Sequence, residues 1–499
     1  MSALFSQAPV LAILIPLMGA PISAVFRGPV LPWALATILS AASFWLSIDL
    51  LIHVNTHGPI SYELGGWPPP WGIEYVVDPL SAFVMLIISG ISTAVLFYAR
   101  ESILNEVAAS RLGMFFGAYL LALAGMMGIT ITGDAFNIFV FLEITSLSSY
   151  VLISMGEKTD KRALTAAFQY LIMGTIGATF ILIGVGLLYA MTGTLNIADI
   201  ASQFDRISGT TPLRAAVAFL LVGIAIKLAM FPFHIWLPNG YTYAPSIITA
   251  FFAGTATKVS VYLLIRFIYT VFGADFSFGE FPLTSMLLPL GIAAFLSMSV
   301  VAIFQDNLKR LLAYSSVAQL GYMTVGIALA SEAGLVAGIV HMFNHAIVKT
   351  GLFLSVGAMF FVAGSTYIKD LAGIGQRMPI TSFGFVLGGL ALIGVPLTPG
   401  FISKWYLVQA ALERGDFVGY GLVIAMLISS LFAVIYIWRV VEIMYFRPAP
   451  EGTARKEAPL SLVVPCWIVI LASFYFGIET SLNIGFAESA ASFLMGGAK

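Results

Sequence analysis

The sequence predicts an all-α polytopic membrane protein with about fourteen transmembrane helices. Two features carry that expectation. Of 499 residues, 60% are hydrophobic and 9% charged, against roughly a quarter charged in an ordinary soluble domain. Apolar runs of about 20 residues recur from end to end, and a helix of that length crosses the roughly 30 Å hydrocarbon layer. The same composition excludes other classes. A net charge of -1 with no basic block gives nucleic acid no electrostatic footprint. A single cysteine, Cys466, forms no internal disulfide and cannot supply the thiolates of an iron–sulfur cluster. No cofactor and no metal site are expected within this chain.

Taken in order, the apolar runs place spans near 8–26, 30–53, 77–98, 113–131, 135–155 and 164–192, and then near 215–237, 244–271, 282–305, 311–330, 333–362, 380–412, 417–446 and 459–480. The first has no basic stretch before it, so it reads as a retained span rather than a cleaved signal. The polar interludes near 54–76, 193–213, 272–281 and 447–458 are too short and too polar to build cores of their own. With the N-terminus outside, Arg27, Arg100, Arg111, Lys158, Lys161, Arg162, Lys309, Arg310, Lys369, Arg377, Arg447, Arg455 and Lys456 fall on one face, against Arg206, Arg214, Arg414 and Lys499 on the other. That asymmetry assigns the first face to the cytoplasm and both termini to the opposite side.

Prolines interrupt the seventh span, IAIKLAMFPFHIWLP with Pro232 and Pro238, and the twelfth, GVPLTPGFISKW with Pro396 and Pro399. The two interruptions lie five spans apart. Consecutive five-span units of opposite orientation would put broken helices at the interface of inverted repeats. Two ordinary proline kinks fit the same spacing. On the first view the chain divides into an N-terminal three-helix segment (1–112), repeats at 113–271 and 282–446, and a last span with its tail (447–499).

An ionisable side chain near the bilayer centre costs roughly 2.5 to 3.5 kcal/mol on insertion scales, so each needs a partner or a purpose. This chain has a series: Glu143, Lys227, Lys258, His341, His345, Lys349 and Lys404. Glu143 suits either a counter-charge to a lysine or a proton site, because pairing and burial act on a Glu/Lys couple in opposite directions. His341, His345 and Lys349 recur at i, i+4 and i+8 on one helix face. Three titratable groups in register favour a proton relay over packing histidines. Haem ligation by two of the histidines, with His234 as a third candidate, has no attachment motif behind it. Small residues Ala253 and Gly254 beside Lys258 allow close helix approach. Arg266, near a span end, is expected to snorkel to the interface, and Arg439 and Glu442 are expected to satisfy each other. His234, between the prolines of the seventh span, suits an accessory relay or an anchor for unwound backbone. Asp306, Lys309 and Arg310 read as a cytoplasmic cap and anchor, and Asp370 and Arg377 as part of a surface helix.

The segments FVFLEITSLSSYVLIS, FPFHIWLPNGYTYAPS, AFFAGTATKVSVYLLIR, LKRLLAYSSVAQLGYM, HMFNHAIVKTGLFL and PLTPGFISKW together resemble the antiporter-like subunits shared by respiratory complex I and the multisubunit Mrp-type Na⁺/H⁺ antiporters. The resemblance covers nearly the whole chain, and within that family the chain looks most like the D-type subunit of an Mrp antiporter. It implies fourteen helices, two inverted five-helix repeats and broken seventh and twelfth helices. It also implies a central polar row, matched here by Glu143, Lys227, Lys258, His345, Lys349 and Lys404. Lysine in the twelfth span departs from the glutamate usual in one complex I subunit. NGYTYAPS after the seventh-span WLP, and Gln169 before Tyr170, depart from the common pattern without touching the row. The implied activity is proton translocation in a monovalent cation/proton antiporter of a bacterial plasma membrane, with other membrane subunits as partners. A dehydrated Na⁺ wants several oxygen ligands, and a row of nitrogen bases with one carboxylate suits protons better. The rival is the same row in a complex I-type, redox-driven assembly.

Overall fold

The computed structural model describes residues 5–449 and 456–496, so Arg455 and Lys499 of the charge count lie outside the described residues. Among these, thirteen helices are long and apolar enough to cross a membrane. The twelfth crossing is assembled from two shorter helices, Pro379–Ile393 and Pro399–Leu412. The total of fourteen therefore holds, and the chain is an integral membrane protein.

The spans begin where the sequence offers a side chain to the unpaired N–H groups of a first helical turn. Asp78 accepts from the Ser81 amide at 2.8 Å, Asp134 from Asn137 at 2.7 Å, Asn307 from Arg310 at 3.2 Å and Asp416 from Gly419 at 2.8 Å. Two of the longest spans, Arg162–Thr192 and Glu332–Ala363, end on Gly193 and Gly364 in the left-handed conformation that glycine adopts without penalty. Small residues set the closest crossings. A Cβ on Gly223 would stand 2.7 Å from the Gly177 carbonyl oxygen, so the sixth and seventh spans touch backbone to backbone there.

The third, fourth, eighth, tenth and eleventh spans are buried along most of their length, whereas in the first, second, sixth, ninth, thirteenth and fourteenth fewer than half of the residues are buried. The polar groups of the inner spans are consequently shielded from lipid by protein. Both proline interruptions are true breaks. The seventh span stops at Leu228 and resumes as Trp236–Tyr243. Backbone left unpaired by the first break is met locally: the Trp236 indole donates to the Ile226 carbonyl at 3.0 Å. At the second, the Asn344 amide donates to the Pro399 carbonyl at 2.8 Å. The eighth span is also interrupted, at Thr255 between Ser246–Gly254 and Ala256–Ile265.

Three expectations change. Arg266 does not snorkel: it is buried and pairs with Asp78 at 2.6 Å while its Nε donates to the Tyr262 hydroxyl. The pairing is possible because Asp78 caps the neighbouring third span at the same depth. Arg439 does not pair with Glu442. It reaches Asp306 at 2.9 Å and the carbonyls of Ile303 and Gln305 that end the ninth span, and Glu442 is left to Arg447 at 3.4 Å. Finally, Lys309 is buried, although it sits beside the capping Asn307. Two elements escaped the hydropathy reading. One is a hairpin of Ile60–Glu63 with Glu74–Val77. The other is a helix, Ser481–Leu494, whose Asn, Ser and Glu residues interrupt the apolar run.

Candidate functional site: a buried row of charges

Glu143 and Lys227 form the first part of the row. The helix Thr211–Leu228 ends one residue after Lys227, which aims the ammonium at the fifth span, Ala135–Ser154. Lys227 Nζ donates to Ser146 Oγ at 2.6 Å and lies 3.8 Å from Glu143 Oε1. Ser146 stands three residues beyond Glu143, so the two oxygens occupy one face of that helix. Gly174 of the sixth span leaves room at this point, since a Cβ there would lie 3.8 Å from Lys227 Nζ. Glu143 Oε1 makes no hydrogen bond among the described residues. The ammonium is thus bound to a hydroxyl with the carboxylate one short movement away. The side chain of Glu143 is 29% exposed and that of Lys227 9%, so the pair stands at the outer flank of the row.

The second part is a cluster. Lys258 Nζ donates to the Ala253 carbonyl across the interruption of the eighth span and contacts Thr257 Oγ1 at 3.4 Å. A Cβ on Gly254 would collide with Thr350 Oγ1, so glycine lets the eleventh span come close enough for Lys258 to interact electrostatically with His341, His345 and Lys349. The rings of His341 and His345 lie parallel, 6.1 Å apart. His341 Nδ1 bonds Ser403 Oγ at 2.8 Å, whereas neither nitrogen of His345 has a partner among the described residues. Lys349 donates to the Leu312 carbonyl at 2.8 Å and to Ser315.

Lys404 completes the row. Its ammonium donates to the Ile393 carbonyl at 2.8 Å, the Leu392 carbonyl at 3.4 Å and Ser430 Oγ at 3.1 Å. It therefore pairs the very carbonyls that the break at Gly394–Thr398 sets free. Tyr322 bridges to the histidines, its ring 5.3 Å from Lys404 Nζ and 5.5 Å from the His341 ring. Lys258, Lys349 and Lys404 thus hold backbone and hydroxyl oxygens rather than carboxylates. Several like charges so placed in a medium of low dielectric resist being carried together, so adding a proton at one site favours its departure from the next.

The structure gathers Lys258, His341, His345, Lys349 and Lys404 into this cluster and holds Glu143 with Lys227 as a separate pair. Buried Tyr241 donates to the Phe252 carbonyl of the eighth span at 3.0 Å. His234 belongs to neither group: it stacks on Phe231 and meets the edge of Tyr314. Sequence reasoning missed the hydroxyl partners Ser146, Ser315, Ser403 and Tyr322. Only Ser146, three residues beyond Glu143, carried a spacing signal.

Residues 132–431, more than half of the chain and including Glu143 to Lys404, match the family described as NADH:quinone oxidoreductase/Mrp antiporter, transmembrane. The chain is 40% identical over 458 residues to NADH-quinone oxidoreductase subunit N of Desulforudis audaxviator, covering 91% of this chain and 89% of that one. It is 32% identical over 393 residues to the D-type subunit of the Na⁺/H⁺ antiporter of Alkalihalophilus pseudofirmus, covering 79% and 78%. Among solved structures it is similar to a chain of an archaeal membrane-bound sulfane sulfur reductase, with a TM-score of 0.89, 30% identity and 98% of each chain covered. A chain of the Mrp complex from Dietzia sp. shares the fold, with a TM-score of 0.88, 24% identity and coverage of 99% and 98%. The relatives are subunits of multisubunit membrane complexes. This chain belongs to the antiporter-like family of NADH:quinone oxidoreductase and Mrp antiporter membrane subunits.

Proposed function

We propose that this chain is the proton-translocating subunit of a multisubunit monovalent cation (Na⁺)/proton antiporter. The observation that carries the reading is the half-made ion pair: Lys227 is bonded to Ser146 at 2.6 Å with Glu143 3.8 Å away. An ammonium that can swing between a neutral hydroxyl and a carboxylate couples a small displacement to its hold on a proton. From there Lys258, His341, His345, Lys349 and Lys404 pass protons along the row, with His234 as an accessory group off the main line. The two five-span units, 113–271 and 282–446, both contribute to the row. Na⁺ takes a path supplied largely by a partner subunit, because the row offers nitrogen where a hard cation wants oxygen.

The second reading is a redox-driven complex of the NADH-quinone oxidoreductase type, and the 40% identity to a relative of that name favours it. Both readings use the same row. They part in an experiment on everted membrane vesicles carrying the intact complex. An imposed pH gradient that drives Na⁺ movement without any electron donor supports the antiporter. Proton movement that requires a donor and stops with electron flow supports the redox complex. In either case Lys227→Ala is expected to abolish transport with the complex still assembled, and undiminished transport in that variant rejects the role of the row.

A further inference from the structure

Below the row, at the face rich in basic residues, lies a second buried charge cluster. Glu106 ends the third span and Lys309 opens the tenth, and both are buried. Glu106 Oε2 accepts from the Ser246 amide at 2.8 Å and from the Ser246 hydroxyl at 3.1 Å, so it caps the eighth span from a neighbouring helix. Lys309 Nζ donates to the Ala244 carbonyl at 3.1 Å, and no ion pair within 4.0 Å joins it to Glu106 among the described residues. The two nevertheless interact electrostatically.

Two cavities open at this cluster, of about 150 and 220 Å³, and Glu106 lines both. Asp160, Arg162, Asn307 and Lys309 line the first, and Lys158 the second. Each mixes polar and apolar lining groups and has room for several water molecules at roughly 30 Å³ apiece. Inward from the cluster, two helices lead to the row. On the eighth span, Ser246 precedes Ala253, whose carbonyl holds Lys258, by seven residues, or about 10 Å at 1.5 Å per residue. On the tenth, Lys309 precedes Leu312, whose carbonyl holds Lys349, by less than one turn.

We infer that the Glu106–Lys309 cluster is the port through which protons pass between solvent at the basic face and the Lys258–Lys349 part of the row. The inference rests on the proton-translocating reading. A carboxylate that lines both cavities and caps the helix whose Ala253 carbonyl holds Lys258 about two turns further on is placed to take a proton from hydronium and release it inward. A cap alone would need only the accepting oxygen, and that separates the two roles. Glu106→Gln keeps a carbonyl oxygen for the Ser246 amide and removes the exchangeable proton.

The test uses the intact complex in oriented vesicles. Glu106→Gln is expected to assemble normally and to lower proton transport at least tenfold, and Glu106→Ala to be partly restored by millimolar formate supplied at the basic face. Glu106→Cys is expected to react with a small membrane-impermeant thiol reagent entering the cavities that Glu106 lines, from that face and not from the other; buried Cys466 lines neither cavity and gives the background. Normal transport in Glu106→Gln, or no labelling of Glu106→Cys from the basic face, overturns the port. Should Glu106→Gln fail to assemble, the labelling of Glu106→Cys decides alone. The port and the row fail separately: the port falls if Lys227→Ala is inactive while Glu106→Gln is normal, and the row falls if Lys227→Ala transports normally.

Discussion

Replacing Glu143 with glutamine removes one charge and almost no volume. At 3.8 Å, with an effective dielectric constant near 20, the attraction between Glu143 and Lys227 is about 4 kcal/mol. The Glu143 side chain is 29% exposed, and halving the attraction for that partial exposure leaves about 2 kcal/mol, or about 30-fold in the balance between paired and separated states. Transport by Glu143→Gln is therefore expected to fall by between tenfold and a hundredfold. The assay is the quenching of a pH-sensitive acridine dye in everted vesicles, with complex abundance measured on a native gel. Glu143→Asp keeps the charge on a shorter side chain and is expected to retain part of the activity. Transport in Glu143→Gln within a factor of two of the parent, at equal abundance, would refute the coupling of the pair to proton movement.

Two further outcomes follow from the geometry. Asp78→Asn leaves Arg266 buried without its partner, and breaking a buried pair from one side costs about 3 to 5 kcal/mol; the complex should lose thermal stability in detergent, and Asp78→Asn with Arg266→Gln together should lose less than the sum. Ser403→Ala removes the hydroxyl that holds His341 Nδ1 at 2.8 Å; transport should slow by a few-fold while stability changes by about 1 kcal/mol or less, read by the same dye assay and a melting curve.

The spans, both breaks and the intramembrane placement of the ionisable residues from Glu143 to Lys404 were legible in the sequence because each obeys a local rule. Twenty apolar residues, a proline in mid-run, or a lysine inside a hydrophobic stretch mean the same thing wherever they occur. Partners obey no such rule. Arg266 looked like a residue bound for the interface because its own span ends nearby, yet Asp78, far away in sequence, meets it in the interior. Arg439 had Glu442 one helical turn away and chose Asp306 and the open carbonyls of another span instead. Glu106 drew no attention at the polar end of its span, because nothing in ARESILNEV announces that the Ser246 amide waits for it. The hydroxyls that hold the lysines were equally silent: a serine in a membrane helix usually bonds its own backbone, as Ser146 also does to Leu142.

The central claim is that the buried row carries protons, and Lys258 is its most direct witness. It lies at the centre of the second cluster, fully buried, with no carboxylate among its hydrogen-bond partners. Proton flux measured in proteoliposomes of the purified complex, parent against Lys258→Met, tests the claim with a side chain of similar length and no charge. Loss of flux with assembly preserved is the predicted result; flux equal to that of the parent would contradict it.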